Sequence, residues 1–306
     1  YQGMGELDYL QDTDVVLTLR ARAPWTPASA KPANATIVNI DEAPFRPHMV
    51  HQSLQADVFL EGDAVATLRA LISAIRERGV DTAVVAERQA RWSKGHDALV
   101  AGKKADIDAA LAKETISPIG LCATLGDVLP DDTIYIDETI TSRPVIVKYL
   151  DFKGPLSFFS VASGGLGQGL GLALGAKLAM KDRPVVSVIG DGSFMYNPVT
   201  QSLALSQHKD IPIMIVVFNN AGYSAMRKEH HAYYPDGVAA ASNASVGHDI
   251  TDVDYAELGK PFGFYGRRVE ALADLPGVLK EAYAATLEGR TAIVNVILDE
   301  GAPAKR

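Results

Sequence analysis

Gly190-Asp191-Gly192 follows the apolar run Pro184 to Ile189, and Asn219-Asn220 ends the next apolar run, which starts at Pro212. Between Gly192 and Asn219 lie 26 residues. That length fits strand, helix, strand, so the aspartate and the asparagines meet at one edge of a parallel sheet, where such sheets bind their ligands. An aspartate between two glycines has little to give a hydrophobic core and much to give a metal ion or a phosphate. One carboxylate, one side-chain amide and a backbone carbonyl make an all-oxygen set. It suits Mg²⁺, which takes about six oxygens and draws some from substrate phosphates. Gly192 and Ser193 open the following helix with N–H groups that suit a phosphate, and glycine lets a backbone come close. For Gly-Asp-Gly alone the competing reading is a tight turn with a capping aspartate. The asparagine pair at this spacing favours a metal-plus-diphosphate clamp.

The elements that must position these residues can be read in order. Strands are expected at Asp14–Arg20 and at TIVNID, ending in Asp41, and a helix from Asp63 as N-cap to Gly79 as stop. Residues 1–79 thus read as strand, strand, helix, the second half of a Rossmann-like domain. Residues 80–113 are charged and read as a helical connector. Residues 114–306 carry a full alternation: helix Ser117–Leu129, strand TIYIDE, loop, glycine-rich helix Gly164–Ala179, strand PVVSVI, the Gly-Asp-Gly turn, helix PVTQSLALSQH, strand PIMIVVFNN. A polar segment follows, then helix DYAELGKPFG, strand YGRRVEA, helix LPGVLKEAYAATLEG and strand TAIVNVILDE. The expected class is α/β, a doubly wound, mostly parallel sheet. Asp137-Glu138, Asp191 and Asn219-Asn220 all fall at strand carboxyl ends, which argues for one shared site. GGLGQGLGLALG has no G-x-G-x-x-G in register after a strand, so a dinucleotide fold is rejected.

Composition narrows the class. The chain has 306 residues, 47% hydrophobic and 22% charged, with a net charge of −8. No nucleic-acid partner and no anionic membrane surface is suggested. Cys122 is the single cysteine, which excludes an internal disulfide and reads as a buried inert thiol. No apolar run approaches about 20 residues and no signal peptide is present, so the expected location is cytoplasmic. The chain opens YQGMGELDYL and reads as the middle of a longer polypeptide or a processed piece of one.

With ASGGLGQGLGLALGAKLA before GDGSF and NNAGYSAMR after it, the chain resembles the thiamine diphosphate enzymes of the acetolactate synthase and benzoylformate decarboxylase group. TIVNIDEAP followed by SLQADVFLEGD resembles the end of that group's central domain. The resemblance implies a pyrophosphate-type domain at 114–306 and cofactors thiamine diphosphate and Mg²⁺. Asp191 matches the metal aspartate, Asn220 the metal asparagine and the Gly222 carbonyl the backbone ligand. Gly190, Gly192, Ser193 and Tyr223 match the diphosphate segment, as do Ile140 and Thr141. Leu166 matches the bulky apolar residue under the thiazolium ring, and the Gly164 carbonyl the acceptor for the aminopyrimidine amino group.

The family's activating glutamate lies on a pyrimidine-binding domain that precedes everything here. The resemblance therefore implies a partner chain or fragment carrying that domain, and a homo-oligomer, dimer or tetramer. Glu138 is expected beside the diphosphate segment, in the pocket or behind it. Ala225, Met226, Glu229 and His230 are candidates to line the substrate pocket. His230 reads either as a carboxylate or proton-relay group or as an exposed histidine in a charged loop. His248 reads as a solvated loop residue, and Tyr233 to Gly237 as a turn with packing aromatics. FAD stays undecided. The implied reaction is decarboxylation of a 2-oxo acid, carboligation, or both. The alternatives are a 2-hydroxyacyl-CoA lyase and a non-catalytic cofactor-binding half.

Overall fold

The computed structural model of the chain describes residues 10–21, 25, 30–44, 56–160, 165–242, 244, 247–250 and 253–299. The chain forms two compact units, residues 1–100 and 101–306. In the first, β1 (Val15–Leu19), β2 (Thr36–Asp41) and β3 (Val58–Glu61) make a parallel sheet in the order β1-β2-β3. Helix α1 (Ala64–Arg78) starts where the Asp63 carboxylate accepts the Ala66 N–H at 2.7 Å and stops at Gly79, φ 77°. The third strand corrects the strand-strand-helix reading. VFLE is four residues long and abuts the helix cap, so its alternation cannot register alone. Pairing with Val38–Asp41 makes it a strand. Helix α2 (Thr82–Leu111) carries polar residues all round, buries Ala110 near its end, and runs through the boundary between the units.

The second unit is a six-stranded sheet in which every pair is parallel. Its strands are β4 (Ile134–Glu138), β5 (Phe158–Ser160), β6 (Val185–Gly190), β7 (Met214–Asn219), β8 (Tyr265–Val269) and β9 (Ala292–Ile297), in the order β5-β4-β6-β7-β9-β8. Side chains alternate between two cores. Tyr135, Val186, Val188 and Val216 face α3 (Pro118–Val128), α4 (Arg143–Tyr149) and α10 (Leu275–Leu287). Ile134, Ile136, Ile189 and Val217 face α5 (Gly169–Ala179), α7 (Val199–Lys209) and a 3₁₀ segment, Tyr255–Phe262. Both faces are covered, as a parallel sheet requires. Cys122 is fully buried in the first core, where burial pushes its thiol pKa up.

Five further expectations are corrected. The connection after β4 is not a plain loop; it holds α4 and β5, whose three residues pair with Tyr135–Asp137. The glycine-rich helix begins at Gly169, because Gly167 sits at φ 100° in the turn before it. Gly-Asp-Gly is not a bare turn: Asp191 opens the short α6 (Asp191–Tyr196). The polar segment after β7 contains α8 (Ser224–Tyr233) and α9 (Val238–Ser242). The helix expected at DYAELGKPFG is instead the 3₁₀ segment Tyr255–Phe262, which contains Pro261, a residue that cannot donate to an α-helical ladder.

Candidate functional site

The strand order changes direction between β4 and β6: β5 lies on one side of β4, while β6, β7, β9 and β8 extend on the other. That is the switch point at which such sheets leave a crevice. Period-two alternation sends the two acids ending β4 to opposite faces. Asp137 accepts from the Thr139 N–H (2.8 Å) and hydroxyl (2.6 Å) and pairs with Arg143 at 2.6 Å, fixing the turn into α4. Glu138 turns to the α5 side, where three backbone N–H groups meet it. It does not line the crevice, which corrects the pocket half of its expectation.

At the end of β6 the chain passes from extended backbone at Gly190 (ψ 151°) straight into α6, and Asp191 is buried at the step. One carboxylate oxygen accepts from its neighbour Gly192 N–H at 2.8 Å, the other from Gly222 N–H at 3.1 Å. Burial pushes its pKa up to about 6, against the opposing pull of those amides. Position 192 has no room for a side chain, since a Cβ would lie 2.6 Å from the Tyr223 ring.

The two asparagines ending β7 part company. Asn219 faces the sheet, donating to Asn295 Oδ1 at 3.1 Å, while its own Oδ1 accepts the Ala221 N–H at 3.0 Å and shapes the turn. Asn220 faces the crevice, and its Oδ1 is buried with no hydrogen-bond partner. An orphaned amide oxygen and a buried carboxylate lining the same cavity are oxygen donors of the kind that could hold a hard cation.

These groups line one cavity of about 290 Å³. Ile140 and Thr141 enter from the β4 exit, Leu166 from the loop before α5, and Gly190 through Ser193 from the β6–α6 junction. Asn220, Gly222 and Tyr223 enter from the β7 exit, and Ala225, Met226 and Glu229 from one face of α8. Gly164 lies outside the described residues. His230 does not line the cavity. It sits on α8 rather than in a loop, with its ring 6.2 Å from His231, 5.7 Å from Tyr234 and 6.0 Å from His248. His248 is half-buried rather than solvated, with a partnerless Nδ1 and a carbonyl that accepts the Tyr223 N–H at 2.7 Å. Tyr233 ends α8 at 78% exposure, so it does not pack as expected.

Thr139, Ser142, Phe218 and Ser224 also line the cavity and were not anticipated. Ser142 and Ser224 each adjoin a residue the motifs pointed to, which was the available signal. Phe218 sits inside an apolar strand, where nothing in sequence separates wall from core. Among the described lining residues the ionisable carboxylates are Asp191 and Glu229, and none is Lys, Arg or His. A phosphate entering here would meet backbone N–H groups and hydroxyls but also a carboxylate, whose repulsion a cation between them would offset.

A family model described as "Thiamine pyrophosphate enzyme, C-terminal TPP binding domain" matches residues 141–296, just over half of the chain. Benzoylformate decarboxylase of Pseudomonas aeruginosa is 30% identical over 178 residues, 58% of this chain and 32% of that protein. Acetolactate synthase of Mycobacterium bovis is 23% identical over 281 residues, 90% of this chain and 43% of that protein. Among solved structures, benzoylformate decarboxylase from Polynucleobacter necessarius matches with a TM-score of 0.65 at 22% identity, over 95% of this chain and 50% of that one. At that identity the likeness is one of fold. The chain spans half or less of the length of each of these proteins.

Proposed function

We propose, for a chain that belongs to the thiamine pyrophosphate enzymes and carries their C-terminal TPP-binding domain, that the cavity holds the diphosphate of thiamine diphosphate through Mg²⁺ and serves the decarboxylation or carboligation of a 2-oxo acid. The carrying observation is the partnerless Oδ1 of Asn220 beside buried Asp191, in a cavity with no cationic side chain among its described lining. Asp191, Asn220 Oδ1 and the Gly222 carbonyl would hold Mg²⁺. The N–H groups of Gly192 and Ser193, the Tyr223 region and the Ile140–Thr141 segment would take diphosphate oxygens. Thiamine diphosphate, when bound, supplies a nucleophilic carbon and an electron sink, the chemistry that removing CO₂ from a 2-oxo acid demands. Leu166, Phe218 and Met226 are apolar lining residues that would receive the ring end. Glu229 stands on the α8 side and is the group proposed to hold or deliver a proton; His230, outside the cavity, is not.

In this reading residues 114–306 are the pyrophosphate-type domain, 1–79 part of a central domain and 80–113 their connector. The pyrimidine-binding part comes from chain beyond these residues or from another polypeptide, and the working unit is a homodimer or tetramer. Titration calorimetry with thiamine diphosphate, with and without Mg²⁺, tests the reading. Wild type should bind only with Mg²⁺, and Asp191→Ala should lose binding by at least about tenfold. Affinity within a few-fold of wild type would refute the metal assignment.

A further inference from the structure

Glu138 has no exposed surface, and among the described residues it makes no ion pair. Four donors meet its carboxylate instead. Oε1 accepts from the N–H groups of Gly167 (2.6 Å) and Gln168 (2.9 Å), and Oε2 from Gly169 N–H (2.9 Å) and Asn197 Nδ2 (2.7 Å). Asn197, just past the end of α6, also accepts the Leu170 N–H at 3.0 Å and donates to the Ser193 carbonyl at 2.8 Å. The N–H groups of Gln168 to Leu170 lie at the start of α5, where a helix cannot pair its own donors, and that of Gly167 lies in the turn before it. Two side chains from other elements satisfy all four.

A helix cap would explain the bonds alone. Placement argues for more. Leu166 directly precedes the clamped amides and is the residue through which this loop reaches the cavity, while Ser193, tied to the same Asn197, reaches it from α6. The parts have no slack: a Cβ at Gly167 would lie 2.7 Å from the Tyr196 carbonyl oxygen, and one at Gly169 would lie 2.7 Å from Glu138 Oε2. Resting on the cofactor reading above, we propose that Glu138 is a positioning residue. Through the Gly167–Gly169 amides and Asn197 it sets Leu166 in register with the Asp191–Ser193 segment, so that the ring end of the cofactor is received in step with its diphosphate end. Glu138 itself touches neither end.

Glu138→Gln keeps the shape but turns one acceptor into a donor that faces N–H groups, leaving buried donors unpaired. The test is calorimetry on the full chain with Mg²⁺ and either thiamine diphosphate or inorganic pyrophosphate. The variant should lose about tenfold or more in affinity for thiamine diphosphate while pyrophosphate binding stays within about twofold. A general loss of fold would lower both. Gly169→Ala is the second variant, because its methyl displaces the carboxylate without removing the charge, and the same selective loss is expected. Equal losses for both ligands, or no loss in either variant, would overturn the proposal. A wild-type chain that binds pyrophosphate but shows no preference for thiamine diphosphate would overturn it and leave the diphosphate site standing. A wild-type chain that binds neither would overturn the cofactor reading and this inference with it.

Discussion

At Asp191 the protein holds a carboxylate that the fold prefers neutral. Its carboxyl titrates near 6 in the folded chain against 3.8 for the ordinary group. A carboxyl raised by folding means that the folded state binds the proton more tightly, so protonation stabilises the ligand-free protein below about pH 4 and that stability is lost as pH rises toward about 6. A cation at the site competes with the same proton. Melting curves should therefore show a Mg²⁺-dependent rise at about pH 8 that shrinks below about pH 6, and Asp191→Asn should abolish the trend. The neighbouring asparagines should separate in the same assay. Asn219→Ala breaks bonds to Asn295 and Ala221 and should cost about 1–3 kcal/mol of stability. Asn220→Ala removes an atom with no partner, so it should leave the ligand-free melting point nearly unchanged and weaken Mg²⁺-dependent binding by about tenfold or more. Loss of binding in Asn219→Ala instead would mean that Asn219, not Asn220, faces the metal. Spacing in the sequence located the pair and the family resemblance pointed to Asn220; the strand's alternation gives the physical reason, turning Asn219 to the sheet and Asn220 to the cavity.

At the scale of elements, what could be read was what announces itself locally. Ser117 before Pro118 marks the start of α3, and its hydroxyl does accept the Gly120 N–H at 3.1 Å. Ser117→Ala should cost about 1 kcal/mol in chemical denaturation and leave pyrophosphate binding untouched. Long apolar strands such as β6, β7 and β9 were equally legible, being buried on both faces. β3 and β5, of four and three residues, were not, because each exists by pairing with a neighbour distant in sequence. Helix α8 was hidden by its charge. SAMRKEHHAY reads as loop until Ala225, Met226 and Glu229 are seen to share the face toward the cavity.

For the molecule as a whole, the two units should respond differently to ligand. Helix α1 buries none of its residues, and α2 exposes Arg88, Arg91, Lys94 and Lys104. Brief trypsin treatment should cut within α2 first, and Mg²⁺ with pyrophosphate should slow later cleavage beyond the end of α2, within 112–306, without protecting α2 itself. Equal protection of both would mean that ligand binding engages the whole chain. Among the described residues no helix is long and apolar enough to cross a membrane. The partnerless oxygen of Asn220 and the reluctant charge of Asp191 have one more consequence. On the function proposed above, a fold held back by its own binding site is completed by what fills that site, so in a cell that continuously clears unfolded chains, the amount of this protein should follow the supply of a vitamin-derived molecule and a metal. Scarcity would be felt first as fewer molecules rather than as slower ones.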